Sequence, residues 1–224
     1  DIWRASDGSE EMIFWRGSRE VPSWRLRIDP SFRRGEIEQA PIPRYGPFRA
    51  DDSPMLQFVV VRALGRMGTL VVHAATAIVD NEALVFVGHS RAGKSTMARI
   101  AESLGARIPT DDRTILNLEG DRVFAWGSPW YGSLVRKTPE GAPVRSIYLL
   151  QQSAQNRIET LPPGRAIKEL FVRLVQPRLS RAELERSLAT LEELVGRVSV
   201  SVLHFQPTAE AFRLASGAAV PITG

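Results

Sequence analysis

The stretch VVHAATAIVDNEALVFVGHSRAGKSTMARI, residues 71–100, decides the fold. Two runs rich in β-branched and apolar residues, TLVVHAATAIV (69–79) and ALVFVG (83–88), are separated only by Asp80, Asn81 and Glu82. A parallel crossover needs about a dozen residues or more, so this connection predicts an antiparallel hairpin. The second run leads into GHSRAGKS (88–95), which fits G-x-x-x-x-G-K-[ST], and then into a helical stretch, KSTMARIAESLG, with Gly105 as its expected C-cap. Strand, glycine-containing loop and helix in this order form an anion cradle. The glycines let successive N–H groups face a phosphate, and the helix N-terminus adds its dipole.

The candidate nucleotide-binding residues are therefore Gly88, His89, Ser90, Arg91, Ala92, Gly93, Lys94, Ser95 and Thr96. Lys94 is expected to reach the β and γ phosphates, and Ser95 to put its hydroxyl on Mg²⁺ with Thr96 beside it. Arg91 is bulkier than glycine and is strained if its backbone requires a positive φ. It either points to solvent or adds a third positive group near the γ phosphate. His89 is read as an ordinary loop residue.

A short strand-like piece, ARIPT, returns the chain from the helix to Asp111 and Asp112. Phosphoryl transfer needs a metal and a group that orients the nucleophile, and two carboxylates beside the cradle supply both. One can hold the metal while the other accepts a hydroxyl proton, although spacing alone leaves open which does which. His73 lies in the first strand of the hairpin, alongside the strand that delivers Gly88. An imidazole there is placed to hydrogen-bond a carboxylate or a phosphate oxygen.

Around this core the order of elements predicts an α/β fold with a mixed sheet. Residues 1–52 read as a small β-rich segment, with strand-like pieces EMIFWR and SWRLRID and a Pro-rich end, PIPRYGPFRADDSP. Residues 53–224 form the main domain, opening on a helix from about Pro54. RTILNLEGDRVFAW predicts a hairpin turning at Glu119–Asp121, GSPWYGSLVRKTPEG a long loop, and APVRSIYLLQQ a strand. PGRAIKELFVRLV and SRAELERSLATLEELVGR predict helices, RVSVSVLHF a late strand, and 208–215 a last helix.

Composition narrows the function classes. The absence of cysteine removes disulfides, thiolate nucleophiles and sulfur-bound zinc, and three histidines do not make a histidine-rich metal cluster. Any metal is expected to be Mg²⁺ on oxygen ligands. The net charge is only +4, lysine occurs three times, and arginines are dispersed, so a nucleic-acid partner is not expected. No apolar run approaches the ~18 residues of a membrane span. The start, DIWRASDGSEE, does not resemble a signal peptide, so a cytoplasmic location is expected. The chain begins on Asp1 rather than methionine, which is read as numbering that follows a trimmed segment.

The segment LVVHAATAIVDNEALVFVGHSRAGKSTMARIAESLGARIPTDD resembles the catalytic core of the HPr kinase/phosphorylase family, in which a strand histidine, this type of loop and an aspartate pair follow one another. Weaker similarity continues through WGSPWYG and APVRSIYLLQQSAQNRIETL. In form the chain resembles the HPr-kinase-like proteins of lasso-peptide biosynthesis, which phosphorylate a serine near the precursor's C-terminus. The resemblance implies a mixed-sheet P-loop kinase fold of the HPr kinase/phosphoenolpyruvate carboxykinase type, with ATP and Mg²⁺ as cofactors. It also implies a peptide or protein substrate with an acceptor serine. By that carry-over Asp111 is the base, Asp112 the partner of metal or histidine, and Lys94 and His73 belong to the catalytic group. Arg136 and Lys137, after WYG, are candidates for an acidic group of the substrate. The family loop carries glycine where Arg91 stands, and the long C-terminal signature of true HPr kinases has no counterpart here, which favours a tailoring kinase over a bifunctional regulator. Two other classes use the same cradle: a nucleotide-dependent switch without a phosphorylated acceptor, and a small-molecule kinase. A homo-oligomer is compatible with the sequence.

Overall fold

The computed structural model describes residues 2–15, 22–39, 54–130, 132–133, 138–175 and 180–217. Arg136 and Lys137, the candidates for substrate binding, lie outside the described residues. The chain forms two compact units, Asp1–Ala63 and Leu64–Gly224. The division falls inside helix α1 (Pro54–Arg66), whereas the sequence expectation puts it ahead of that helix.

In the first unit four strands, β1 (Ile2–Arg4), β2 (Glu10–Trp15), β3 (Pro22–Ile28) and β4 (Gly35–Gln39), form an antiparallel meander. Met12, Leu26, Ile28 and Phe32 make its core, and Phe58, Val59 and Ala63 of α1 pack on them. This packing is why most of α1 belongs to the small unit. An ion pair is buried within it: the Glu10 and Arg62 side chains are each 3% exposed, and Arg62 Nη2 donates to Glu10 Oε1 at 3.1 Å. Arg62 lies over the rings of Phe32 and Phe58, at 4.9 and 5.6 Å from their centroids.

The second unit is built on one mixed sheet. The hairpin is present: β5 (Leu70–Val79) and β6 (Glu82–Val87) pair antiparallel with Val79 opposite Glu82. Asp80 and Asn81 take φ of 52° and 60°, the two left-handed residues that a tight two-residue hairpin turn requires. After helix α2 (Lys94–Ser103) come β7 (Arg107–Thr110), β8 (Arg113–Glu119), β9 (Arg122–Trp126), β10 (Gly141–Gln152) and β11 (Arg157–Thr160). Helices α3 (Pro163–Phe171) and α4 (Arg181–Val195), strand β12 (Ser199–Phe205) and helix α5 (Ala209–Ser216) complete the unit. The strands run β11-β12-β10-β6-β5-β8-β9, with β7 also on β5. β10 is parallel to both β6 and β12, and its first residues pair antiparallel with β9. The pairings among β10, β6, β5, β8 and β9 therefore form a closed ring.

Both faces of the sheet are covered. Along β6, Ala83, Val85 and Val87 join a core with Ala166 and Leu170 of α3 and Leu191 and Leu194 of α4. Leu84 and Phe86 join the opposite core, with Met97 and Ala101 of α2 and Ala211 and Phe212 of α5. This two-sided burial explains a run without polar interruption where a half-exposed strand would alternate. Two elements depart from expectation. β11 is short, polar and mostly exposed, so it carries little hydrophobic signal. α3 stops at Phe171, and the apolar residues after it pack beside β5 instead: Leu174 bridges Val72, and the Val175 N–H donates to the Val71 carbonyl at 2.7 Å. Among the described residues no helix is long and apolar enough to cross a membrane.

Candidate functional site

The cradle connects the end of β6 to the start of α2. Gly88 is buried, and a Cβ there would come within 2.6 Å of the Ala92 Cβ. Gly93 takes φ 104°, and a Cβ on it would meet the Phe205 ring at 2.6 Å, so both conformation and space demand glycine. As the N-cap, Gly93 offers no side-chain acceptor, and the first helical N–H to find one is that of Met97, on the Gly93 carbonyl at 2.9 Å. The preceding N–H groups of the helix are thus available to an anion. Lys94 is 8% exposed, and its Nζ donates to the carbonyls of Gly88 and His89, each at 3.0 Å. Burial lowers the Lys94 ammonium from its usual range, while Asp112 and Asp111 oppose the shift. His89, Ser90, Arg91 and Thr96 are exposed.

Arg91 adopts the strained conformation foreseen for it, with φ 65°. Its side chain is exposed, and its carbonyl accepts from Gln152 Nε2 at 3.3 Å. A left-handed residue other than glycine costs about 1–2 kcal/mol, and glycine returns about 0.5–1 kcal/mol of that through unfolded-state entropy. Arg91→Gly is therefore expected to stabilise the chain by about 0.5–1 kcal/mol, read as a higher urea midpoint at unchanged slope. A lower midpoint would show that the arginine side chain holds the loop.

The three acidic and imidazole candidates come to the cradle through β5. The Gly88 N–H donates to the His73 carbonyl at 3.2 Å, the Ala74 N–H to the Asp112 carbonyl at 3.1 Å, and the His73 N–H to the Arg173 carbonyl at 2.9 Å. Register sets His73 opposite Arg113. Burial holds the His73 imidazole below its usual range. Asp112 pulls it the other way, while Arg113, Lys94 and His89 reinforce the burial.

The two aspartates have different surroundings. Asp111 is 3% exposed, and its Oδ2 accepts from Ser95 Oγ at 3.0 Å, from the Ser133 N–H at 2.9 Å and from Ser133 Oγ at 2.7 Å. Asp112 has a side chain 31% exposed, pairs with Arg113 at 3.2 Å, and interacts electrostatically with both Lys94 and His73. Ser133 and Gly132 were not singled out in the sequence, where their loop reads only as polar and aromatic. The available signal was glycine: a Cβ on Gly132 would lie 1.9 Å from Asp111 Oδ1, and one on Gly127 would lie 2.0 Å from the Thr138 carbonyl.

The donor set suits magnesium shared with phosphates. Ser95, Asp111 and Asp112 offer only oxygen, and Mg²⁺ commonly takes one or two carboxylates and completes its shell with water and phosphate. Among the described residues no group of three or more His, Cys, Asp or Glu could hold a metal ion. Beside the cradle opens a cavity of about 530 Å³ lined by Gly93, Thr96, Gln152, Ser153, Phe205 and Pro207. Its size is that of a small-molecule site.

No protein-family model and no curated protein matches the chain. Among solved structures it is similar to the Hpr(Ser) kinase/phosphatase from Coxiella burnetii, at 10% identity and a TM-score of 0.38, over 65% of this chain and 91% of that one.

Proposed function

We propose that this chain is an ATP- and Mg²⁺-dependent kinase that transfers the γ-phosphoryl group to a serine hydroxyl of a peptide or protein. The observation that carries the proposal is the environment of Asp111: one carboxylate oxygen receives the cradle's Ser95 hydroxyl and a second serine hydroxyl from outside the cradle. A carboxylate that already accepts a serine O–H next to a phosphate cradle is placed to take a hydroxyl proton as that oxygen becomes a nucleophile.

The nucleotide and metal supply an activated phosphoryl group and neutralise its charge. The protein's share is positioning. Lys94 leaves the carbonyls of Gly88 and His89 to contact phosphate oxygens, and the N–H groups at the start of α2 hold the same anion. The cavity bounded by Thr96, Gln152 and Phe205 takes the rest of the nucleotide. Ser95 and Asp112 would hold the metal, with His73 beside Asp112 to orient it. Asp111 accepts the acceptor's proton. The sequence resemblance points to a serine near the C-terminus of a lasso-peptide precursor as that acceptor.

The test is incubation with γ-labelled ATP, Mg²⁺ and serine-containing precursor peptides, followed by intact-mass analysis. Transfer is expected for the wild-type chain and its loss, by about 10²-fold or more, for Lys94→Ala. Hydrolysis of ATP with nucleotide-dependent partner binding and no phosphorylated peptide or protein would assign the cradle to a switch.

A further inference from the structure

Ser133 stands where an incoming acceptor would have to stand. It lies on the segment between β9 and β10, is itself exposed, and directs both its N–H and its Oγ onto Oδ2 of the buried Asp111. The approach is built in. Gly132 lets the backbone lie against the carboxylate, Trp130 is 6% exposed, and the Gly127 N–H donates to the Glu140 carbonyl at 2.9 Å, closing the base of the loop. Ser95 shares the same Oδ2, so the hydroxyl of Ser133 and the hydroxyl at the head of α2 are separated by a single carboxylate oxygen.

We infer that Ser133 is an internal acceptor, phosphorylated by the chain's own cradle. The inference rests on the kinase reading of that cradle. A bond forms between Ser133 Oγ and the γ phosphorus of a nucleoside triphosphate, and the bond from that phosphorus to the β–γ bridging oxygen breaks. The hydroxyl proton passes to Asp111, and a nucleoside diphosphate leaves. The product carries roughly two negative charges beside Asp111 and Asp112, so repulsion weakens the hold of Asp111 on the Ser133 side chain.

The test uses the full chain with Mg·ATP and no added acceptor, analysed by intact mass and peptide mapping. The expected product carries one phosphoryl group, on Ser133, with a rate constant independent of protein concentration. Ser133→Thr is expected to move the modification to phosphothreonine at the same position, and Lys94→Ala to abolish it. In the absence of nucleotide, Ser133→Ala is expected to lower amide-exchange protection at residue 133 by about tenfold, as expected for the loss of one hydrogen bond to a charged acceptor. Transfer to a serine peptide, added in a parallel incubation, with Ser133 unmodified would overturn the inference while leaving the kinase reading intact. A rate that falls on dilution would overturn its intrachain geometry. Absence of nucleotide binding and of any turnover would remove the kinase reading and the inference together.

Discussion

Asp111→Asn is expected to lower phosphoryl transfer to a serine acceptor by about 10³-fold while changing nucleotide affinity only a few-fold. Asparagine keeps the size of the side chain, and its amide oxygen can still accept from Ser95 and Ser133, so the loop geometry survives. What is lost is a group that can take a proton. The effect should appear in kcat rather than in KM for ATP, because the interaction is made in the transition state. Asp112→Asn is expected to differ in kind, raising the Mg²⁺ concentration needed for half-maximal rate. If the two variants exchange these signatures, their roles are exchanged as well. Normal transfer by Asp111→Asn would end the assignment of Asp111 as base.

The second large effect lies in the small unit. Arg62→Ala is expected to destabilise it by about 3–5 kcal/mol, because Glu10 would keep a charge in a site 3% exposed after losing the partner that is buried as deeply as itself. Urea denaturation followed by tryptophan fluorescence measures this, since Trp3, Trp15 and Trp24 belong to the same unit. Burial by itself would raise the Glu10 carboxyl, but hydrogen bonds and charge from Arg62 and Arg4 bring it below its usual value. A lowered carboxyl contributes stability that is fully present above its unfolded pKa of about 4.3 and is lost as pH falls through the folded value. In the variant the buried carboxyl takes up a proton more readily, so the deficit should narrow below about pH 4. Glu10→Leu combined with Arg62→Met is expected to recover much of the loss, since apolar groups of similar volume often replace a buried ion pair at little cost. A deficit under about 1 kcal/mol for Arg62→Ala alone would mean that the pair is solvated.

The sequence foretold the hairpin and the cradle because each rests on local chemistry: a two-residue turn, a loop that needs glycine at 93, and a strand buried on both sides. Helix α2 was equally legible, its end marked by Gly105, whose N–H donates to the Glu102 carbonyl while that of Ala106 donates to Ala101. Where the outcome depended on distant partners the pattern failed. The apolar residues Leu174 and Val175 extend the apolar pattern of α3, yet β5 offered them a strand edge, and the helix ended early. Glu10 and Arg62 are far apart in sequence, and neither position announces burial. Ser133 looked like loop polarity because its partner, Asp111, reaches it only after the chain has passed through β8 and β9. The proximity of His73, Asp111 and Asp112 to the cradle was inferable from topology, but the unequal burial of the two aspartates was not. Gly132 and Ser133 lie against the Asp111 carboxylate from a distant part of the sequence.

The main-chain hydrogen bonds of β5 to the cradle, to the aspartate pair and to the segment after α3 are made at residues 71, 73 and 74. None of them uses a side chain. The backbone at His73 and Asp112 is therefore held by a frame that does not depend on their side chains, whereas Asp111 also ties Ser95 and Ser133 through its carboxylate. A scaffold arranged this way separates inheritance of shape from inheritance of reactivity. Substitution of the His73 or Asp112 side chain leaves these main-chain bonds in place.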